Sequence, residues 1–343
     1  MSISQIFTPQ SQLRLVFMGT PEFAVPSLQA LLDGRDQVVG VVTQPDQPSG
    51  RGMAFHAPPV KVLAEARRIP VFQPTKLRVP GVLEQLQAWH PDLIVVVAYG
   101  RILPTSILTL PPLGCINVHA SLLPKYRGAG PIQWAIANGE TETGITIMQV
   151  SEPMDAGDIL LQKALPITAT DTGGSLHDKL ARLGAEALQE AIGRLKAGWL
   201  TARQQNEAEV THAPLIQKED GRMDWNLAAV VIERRVRAFN PWPSAYTTLN
   251  GKLLKIFAAE VEHAFRASQT APGTIIEVTP VSVSVATGDG VLTLREVQLA
   301  GKKRLSVEEF LRGYHLQSSQ ELRVRAKNSI LGQCLPRSST SST

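Results

Sequence analysis

The chain has 343 residues, 43% of them apolar and 19% charged, and this ordinary globular mixture excludes a wholly disordered protein. Its two cysteines exclude a disulfide framework and a four-thiolate zinc site, and no apolar run is long enough to cross a bilayer. The net charge is +4, the first twelve residues do not resemble a secretory signal, and the length predicts two domains.

The first part of the chain alternates predicted strands and helices. Its strands are apolar along their whole length, and strands of this kind separated by helices predict a parallel sheet covered on both faces. A long loop rich in Pro and Gly is predicted at residues 44–59. The predicted strands are 13–18, 38–43, 93–98, 115–118 and 145–150, and the predicted helices are 23–32, 60–68, 82–89 and 176–195.

The pattern changes after about residue 205. A helix is predicted at 227–239, and Gly288-Asp289-Gly290 predicts a turn between the last two of five short strands. Several short strands within about 60 residues predict a small barrel or sandwich. The five strands are predicted at residues 246–249, 253–258, 274–278, 281–285 and 291–297.

These patterns divide the chain into five predicted segments. They are an N-terminal extension (1–12), an α/β catalytic domain (13–204), a linker (205–220), a small β domain (221–320) and a tail (321–343) whose end is expected to be disordered.

Charge is distributed unevenly between the two halves. Residues 1–220 contain 18 basic and 20 acidic side chains, whereas residues 221–343 contain 16 basic and 10 acidic ones. A basic second half is typical of a protein with a polyanionic partner, and it is equally compatible with a solvated basic surface.

Several common cofactor and nucleophile motifs are absent. The first strand is not followed by G-x-G-x-x-G, and the chain has no phosphate loop ending in Gly-Lys-Ser/Thr, no H-E-x-x-H and no G-x-S-x-G. The seven histidines are scattered without metal-ligand spacing, so no metal is expected. The sheet is therefore not predicted to bind a dinucleotide in the usual way.

Two polar segments follow predicted strands, where ligands bind in doubly wound sheets. Asn117 and His119 are two residues apart, so in an extended strand they point to the same side. An amide can stabilise a developing oxyanion and an imidazole can move a proton near neutral pH, a pairing that favours acyl-type chemistry. Asp155 follows the strand at 145–150 and could reach across the sheet to orient His119.

Each of these features has a purely structural alternative. His119 could cap a turn at a polar strand end, and Asp155 could form a turn. The segment 97–104, which leaves the central strand, could line a slot for a flat heterocycle or form an ordinary strand-to-helix connection.

Taken together, the motifs resemble the folate-dependent formyltransferase family from about residue 13 to residue 311, in order across both predicted domains. Asp155 follows His119 at the spacing typical of that family. The matching segments are FMGTPEFA (17–24), TQPD (43–46), GRG (50–52), VVAYG (96–100), GCINVH (114–119), SLLP (121–124), RGAGPIQ (127–133), GITIM (144–148), RAFNPWP (237–243) and ATGDG (286–290).

The resemblance implies a fold and a reaction. The fold is α/β, a Rossmann-like formyltransferase domain followed by a small OB-like β-barrel domain. The implied formyl donor is 10-formyltetrahydrofolate, and the implied acceptor is the α-amino group of methionine on initiator tRNA. The resemblance further implies a monomer in the cytoplasm of a bacterium, with no metal and no membrane contact.

The resemblance also implies residue roles. Asn117, His119 and Asp155 match the catalytic residues, with Asn117 donating to the oxyanion, His119 moving a proton and Asp155 setting the His119 tautomer. Arg51 matches the core of the family's tRNA-binding loop. The basic charge of the second domain adds Lys302, Lys303 and Arg304 as candidate tRNA contacts, and the alternative for these three residues is a solvated turn after Gly301. After Arg51 the chain has Met53-Ala54-Phe55-His56 where the family has lysines. The expected folate contacts are Ser121, Leu122, Leu123, Pro124, Tyr99, Gly100, Ile102 and Leu103.

Two other functions remain open at this stage. One is another folate enzyme on the same scaffold, such as a nucleotide-sugar N-formyltransferase or a 10-formyltetrahydrofolate hydrolase. The other is a non-catalytic RNA-binding protein, which would not need Asn117, His119 and Asp155 together.

Overall fold

The computed structural model describes residues 12–49, 54–262 and 270–323. The first half contains a seven-stranded sheet with the strand order β10-β9-β7-β6-β1-β2-β5. Two short pairs, β3 with β4 and β8 with β11, lie outside this sheet. The strands are β1 (Arg14–Gly19), β2 (Gln37–Val42), β3 (Gln47–Ser49), β4 (Ala54–His56), β5 (Val71–Phe72), β6 (Leu93–Val97), β7 (Cys115–His119), β8 (Arg127–Gly128), β9 (Glu142–Gln149), β10 (Ile159–Pro166) and β11 (His212–Ala213).

The direction of the strands differs in part from the prediction. β1, β2, β6 and β7 are parallel, as predicted, and so is β5, which was not predicted, but β9 is antiparallel to β7. The sequence analysis also missed β10, which is antiparallel to β9. Only residues 150–158 join these two strands, and a parallel pair would need a much longer crossover connection.

Helices cover both faces of the sheet, as the apolar strands predict. The helices α1, α2, α5 and α6 contribute to the core on one face, and α3 and α4 contribute to the core on the other. Thr172 caps α6 by accepting a hydrogen bond from the backbone of Ser175. The helices are α1 (Val25–Leu32), α2 (Pro59–Ala66), α3 (Val82–Ala88), α4 (Thr105–Leu108), α5 (Pro131–Ala137) and α6 (Gly173–Lys196).

The second half is a small antiparallel β domain with its own apolar core. Its strand order is β12-β13-β16-β15-β14, and β17 pairs with β16. β15 and β16 form the hairpin predicted from Gly288-Asp289-Gly290. The elements are α7 (Ala229–Ala238), β12 (Ala245–Leu249), β13 (Lys252–Glu262), β14 (Ile275–Thr279), β15 (Ser282–Ala286), β16 (Val291–Leu299), β17 (Leu305–Ser306) and α8 (Val307–Gly313).

The segment 319–323 closes this sheet into a barrel. The backbones of Arg323 and Thr248 exchange hydrogen bonds, and Ile275 N donates to Gln320 O. The segment thereby bridges β12 and β14, the two outer strands of the sheet. Residues 321–323, which lie beyond the predicted end of the β domain, thus take part in its pairing, and the five segment boundaries stay a prediction.

The two halves contact each other through α7 and Asn240. α7 packs on α5, and Asn240 O accepts a hydrogen bond from Gly174 N at the start of α6. The Asn240 side chain donates to Phe257 O on β13 at 3.0 Å. Within the described ranges, no helix is long and apolar enough to span a membrane. Residues 1–11, 50–53 and 324–343, which include most of the predicted extension and tail, lie outside those ranges.

Candidate active site

Asn117 and His119 lie on the same face of β7, as their spacing predicts. Ile116 and Val118, which alternate with them along the strand, point into the core on the opposite face of the sheet. The His119 side chain is buried, whereas Asn117 is half-buried. The Asn117 amide makes no hydrogen bond with another described residue, so it is free to donate to a ligand.

The two ring nitrogens of His119 face different partners. Nε2 lies 2.9 Å from the backbone oxygen of Tyr126. Because a carbonyl oxygen only accepts hydrogen bonds, Nε2 must carry the proton. Nδ1 lies 3.8 Å from Oδ2 of Asp155, which is too long for a hydrogen bond. The Tyr126 carbonyl therefore sets the tautomer, a role that the sequence analysis assigned to Asp155.

Asp155 reaches His119 by a different route from the predicted one. Because β9 is antiparallel to β7, its carboxyl end does not lie at the same edge of the sheet as that of β7. The loop 150–158 brings the carboxylate back, and Asp155 takes the left-handed backbone conformation with φ of 57°. Its Oδ2 accepts a hydrogen bond from Gly128 N at 2.9 Å. The predicted proximity of Asp155 and His119 is present, although the reason given for it was wrong.

The segment 121–124 is held by two side chains of the antiparallel strands. Thr146 Oγ1 on β9 donates to Ser121 O at 2.7 Å and accepts from Leu123 N at 3.1 Å. Gln162 on β10 donates to Leu123 O at 2.9 Å. The Ser121 hydroxyl donates to Lys125 O, and Leu123 is buried against Met148 and Ile159. This leaves the half-buried Leu122 and Pro124 to contact a ligand with their side chains.

The segment after β6 divides the other expected folate contacts into two pairs. Tyr99 and Leu103 are buried in the core between the sheet and α3 and α4, and burial raises the pKa of the Tyr99 hydroxyl. Gly100 is exposed with φ of 78°, and Ile102 is 65% exposed. Of these four expected folate contacts, Gly100 and Ile102 are therefore the two that lie at the surface and can touch a ligand.

The carboxyl ends of β1, β6 and β7 share one edge of the sheet because these strands are parallel neighbours. Gln44, which follows β2, joins this edge by donating to Tyr99 O at 3.0 Å. Arg101 in turn donates to Gln44 Oε1 at 3.1 and 3.2 Å. Gln44 belongs to the TQPD segment that carries the family resemblance, but it was not predicted to organise the site. Contacts between distant segments, such as those of Gln44 with Tyr99 and Arg101, leave no local signal in a sequence.

The residues expected to bind tRNA have different surroundings. Lys302 and Lys303 are exposed in the turn between β16 and β17, and neither forms an ion pair with a described residue. Arg304 pairs with both carboxylate oxygens of Glu296 and lies 4.2 Å from the centre of the Phe257 ring. The charge of Arg304 is therefore already compensated within the barrel.

Arg51 lies outside the described residues, but the base of its loop is described. The predicted loop 44–59 contains the β3–β4 hairpin, in which Gln47 pairs with His56. Asp46 at this base accepts hydrogen bonds from Gln73 and Lys61, and those two bonds lower the pKa of its carboxyl group. The hairpin that leads to Arg51 is thus anchored to α2 by an ion pair.

Comparison with known proteins agrees with this geometry. The formyl transferase family model matches residues 13–192, and its C-terminal domain model matches residues 215–315. The chain belongs to the formyl transferase family. A methionyl-tRNA formyltransferase of Desulfotalea psychrophila is 52% identical over 310 residues, which cover 90% of this chain and 95% of the relative. Further relatives of the same name are 47–49% identical.

Two solved structures share the fold. The sugar 3N-formyl transferase WlaRD has a TM-score of 0.62 at 18% identity, over 85% of this chain and 100% of that one. HypX of Aquifex aeolicus, solved with tetrahydrofolic acid, has a TM-score of 0.58 at 20% identity over 92% of this chain. The chain spans about half the length of HypX, 51% of it.

Among the described residues, no cluster of three or more His, Cys, Asp or Glu side chains could hold a metal ion. Several residues that shape the site were not predicted from the sequence. They contact it through the backbone or from distant segments, and they are Gln44, Tyr126, Arg127, Gly128, Thr146, Gln162, Gln205 and Thr211.

Proposed function

We propose that the protein transfers the formyl group of 10-formyltetrahydrofolate to the α-amino group of methionine on initiator methionyl-tRNA. The observation that carries the proposal is the Asn117 amide, which has no hydrogen-bond partner in the described part of the chain, beside the His119–Asp155 pair at the end of β7. The substrate class is supported by the name of the relatives that are 47–52% identical over most of the chain. The product is the N-formylmethionyl-tRNA that starts bacterial translation.

The residues at the end of β7 fit a formyl donor. The Asn117 amide, which no described residue engages, can bind the formyl oxygen, and the exposed Ile102 and half-buried Leu122 offer apolar contacts for a flat ring. When bound, 10-formyltetrahydrofolate supplies the activated formyl group. Leu123 and Ser121 act by fixing the shape of the 121–124 segment, since their side chains are engaged within the protein.

Asn117 and His119 have separate tasks in the transfer. A free α-amino group has a pKa of about 8, so a useful neutral fraction is present at pH 7 to attack the formyl carbon. Asn117 donates to the oxygen on which negative charge develops. His119 donates its Nε2 proton to Tyr126 O, so Nδ1, which faces Asp155, is the nitrogen that exchanges protons. The attacking amine loses one proton and N10 gains one as the bond between N10 and the formyl carbon breaks, so that tetrahydrofolate leaves and the formyl group stays on the amine. The Asp155 carboxylate stabilises the imidazolium when Nδ1 is protonated.

The tRNA substrate requires contacts beyond the reacting amine. We propose Lys302, Lys303 and Arg51 as phosphate contacts, since the two lysines are exposed and have no carboxylate partner among the described residues. Arg304 contributes by holding the turn in place through Glu296 and Phe257. The reaction takes place in the bacterial cytoplasm, where tRNA is charged. One chain carries all of the named residues, so a monomer suffices.

The proposal is tested with methionine-charged initiator tRNA and 10-formyltetrahydrofolate. We expect the parent protein to form N-formylmethionyl-tRNA and His119→Ala to lose about 10²–10⁴-fold in kcat, because a general acid–base group is removed. His315→Ala is the control, since His315 is exposed on the barrel side, and it should keep the parent rate. The affinity for tRNA should be the same in all three proteins.

The other functions predict different results. Consumption of the folate donor without formylated tRNA would indicate a hydrolase or a different amine acceptor. A folded protein that binds tRNA and consumes no donor would contradict formyl transfer and indicate a non-catalytic RNA-binding protein.

A further inference from the structure

The segment 203–213, here called the connector, runs along the candidate active site on its way from α6 towards the barrel. Arg203 exchanges backbone hydrogen bonds with Ile159 at the start of β10. β11 at the other end of the connector pairs in parallel with β8. Most of this segment was predicted to be a linker, yet side chains at two of its positions contact residues that flank His119 and Asp155.

Gln205 fixes the backbone around Asp155. Its Nε2 donates to Asp155 O at 2.8 Å and to Gly157 O at 2.7 Å. Asp155 has φ of 57°, a conformation that is unfavourable for a residue with a side chain and persists where the surroundings hold it. Through these two hydrogen bonds the Gln205 side chain ties the connector to the backbone of Asp155 and Gly157, and so helps to hold Asp155 in this conformation.

Arg127 fixes Gln205 in turn. Its guanidinium donates from Nε to Gln205 Oε1 at 3.0 Å, so both ends of the Gln205 amide are used. The same guanidinium pairs with Glu207 at 2.7 and 3.3 Å, and the hydrogen bond from Arg127 lowers the pKa of the Glu207 carboxyl group. Arg127 is 7% exposed, so it lies between the connector and the sheet with little freedom to move.

Thr211 acts on the other side of His119. Its Oγ1 accepts a hydrogen bond from Tyr126 N at 2.9 Å, and Tyr126 O is the acceptor of the His119 Nε2 proton. The backbone of Thr211 also accepts from Arg127 N at 2.9 Å. The position of the carbonyl that sets the His119 tautomer therefore depends on the connector.

We propose that the connector is a positioning element of the active site, in which Gln205 holds Asp155 and Thr211 holds the Tyr126 carbonyl against His119. Neither residue contacts the reacting atoms, so both act through the His119–Asp155 pair. The inference rests on the proposed formyl transfer for its kinetic readout. A small displacement of catalytic groups can lower a rate by about 100-fold without altering substrate affinity.

The first test compares Gln205→Ala with Gln204→Ala. Gln204 is the same residue type at the adjacent position, but it is exposed and makes no hydrogen bond with a described residue. We expect kcat to fall about 10- to 100-fold in Gln205→Ala, with the KM values for tRNA and folate within about twofold of the parent. Gln204→Ala should match the parent. An unchanged kcat in Gln205→Ala, or a loss confined to KM, would overturn the proposal.

The second test keeps the proposal falsifiable if Gln205→Ala does not fold. Thr211→Val keeps the shape of the side chain and removes the acceptor for Tyr126 N, whereas Thr211→Ser keeps the acceptor. We expect Thr211→Val to lose about tenfold in kcat and Thr211→Ser to retain the parent value within about twofold. Equal kcat values in these two variants would overturn the role of Thr211.

An NMR measurement separates failure of this inference from failure of the proposed function. The ring signals of His119 should move in Gln205→Ala and Thr211→Val and stay in place in Gln204→Ala, whether or not formyl transfer occurs. If the parent transfers no formyl group, the proposed function fails and the NMR comparison alone decides the inference. If the His119 signals are the same in all variants, the positioning role is wrong.

Discussion

Asn117 is the half-buried residue at the end of β7 whose side chain has no hydrogen-bond partner among the residues that the structure describes. His119, two residues later, is engaged through Nε2 by Tyr126 O at 2.9 Å. The difference has a chemical meaning, because an unpartnered amide can donate fully to a charge that develops on a ligand, whereas an engaged imidazole is held in one orientation. The two side chains thus supply a donor and a fixed proton carrier on one strand.

Replacing Asn117 with alanine should remove the donor for the developing oxyanion. We expect kcat of formyl transfer to fall about 10²- to 10³-fold, with KM changed by less than threefold, because the bond strengthens in the transition state. Steady-state kinetics with both substrates measure this. Asn226→Ala, which removes an exposed amide bonded to Asp224, is the control and should have the parent rate. A similar loss in both variants would contradict the role of Asn117.

Asp171 is a buried carboxylate outside the active site, at the start of α6. Burial raises the pKa of this group, but hydrogen bonds from Lys179, Thr168 and Ser175 outweigh it and lower the pKa to about 2. Its backbone oxygen accepts from Arg237 of α7 at 3.0 Å. The residue thus connects α6 to α7, which packs against the barrel.

Asp171→Asn should destabilise the protein in a pH-dependent way. An unfolded Asp has a pKa of about 3.9, so the lower pKa in the folded protein contributes about 2.6 kcal/mol to stability at pH 7. This contribution is lost as the pH falls from 4 towards 2. Urea unfolding at pH 7 and pH 3 should show a larger difference between parent and variant at pH 7. The exposed Asp178→Asn is the control, and a difference independent of pH would contradict the prediction.

The helix α6 supports the active site from behind. It packs on the face of the sheet opposite Asn117 and His119, and Gly184 lies directly against Val118 of β7. An ideal Cβ at Gly184 would be 3.0 Å from Val118 Cγ1, so the close approach of helix and strand depends on glycine. Gly193, in the same helix, has no neighbouring atom that a Cβ would meet within 4 Å.

The two glycines of α6 should respond to substitution in opposite ways. Gly193→Ala should raise the free energy of unfolding by about 0.5–1 kcal/mol, because alanine has the higher helix propensity. Gly184→Val should lower it by about 1–3 kcal/mol, since the side chain overpacks the contact with Val118. Chemical denaturation measures both, and equal effects at the two positions would contradict this account of the helix–strand contact.

At the scale of the whole molecule, the charge of the two halves differs. The second half carries the excess of basic residues, but several of them are already paired, as Arg304 is with Glu296 and Arg237 with Glu233. Lys302 and Lys303 keep their charges free of described carboxylates. The net excess of basic residues is thus a poorer guide to a polyanion-binding surface than the positions of those cations that have no carboxylate partner among the described residues.

The Lys302→Ala, Lys303→Ala double variant should bind tRNA more weakly. The logarithm of the tRNA-binding constant falls linearly with the logarithm of the salt concentration, and each lost phosphate contact should make this slope shallower by about 1. The KM for folate should be unchanged. Titration of tRNA over a range of salt concentrations measures the slope. The control is the Arg35→Ala, Arg182→Ala double variant, which also removes two positive charges, but from exposed residues of the first half. Equal slopes in the two double variants would contradict the assignment of Lys302 and Lys303.

The features that were predicted correctly are those that depend on local pattern. Uniformly apolar segments predicted four of the five parallel strands, short alternating segments predicted five strands of the barrel, and the two-residue spacing placed Asn117 and His119 on one face. The motifs also identified the family. Each of these signals lies within a few residues, so burial or backbone periodicity leaves a visible trace in the amino-acid order.

The antiparallel direction of β9, the presence of β10 and the route of Asp155 to His119 are visible in the three-dimensional structure and were not predicted. The structure also places Gln205 and Thr211 of the connector around the site, more than 40 positions after Asp155. These contacts are made through backbone carbonyls and between distant segments. Their partners are fixed by strand pairing and packing across the whole fold, so no local pattern of residues can specify them.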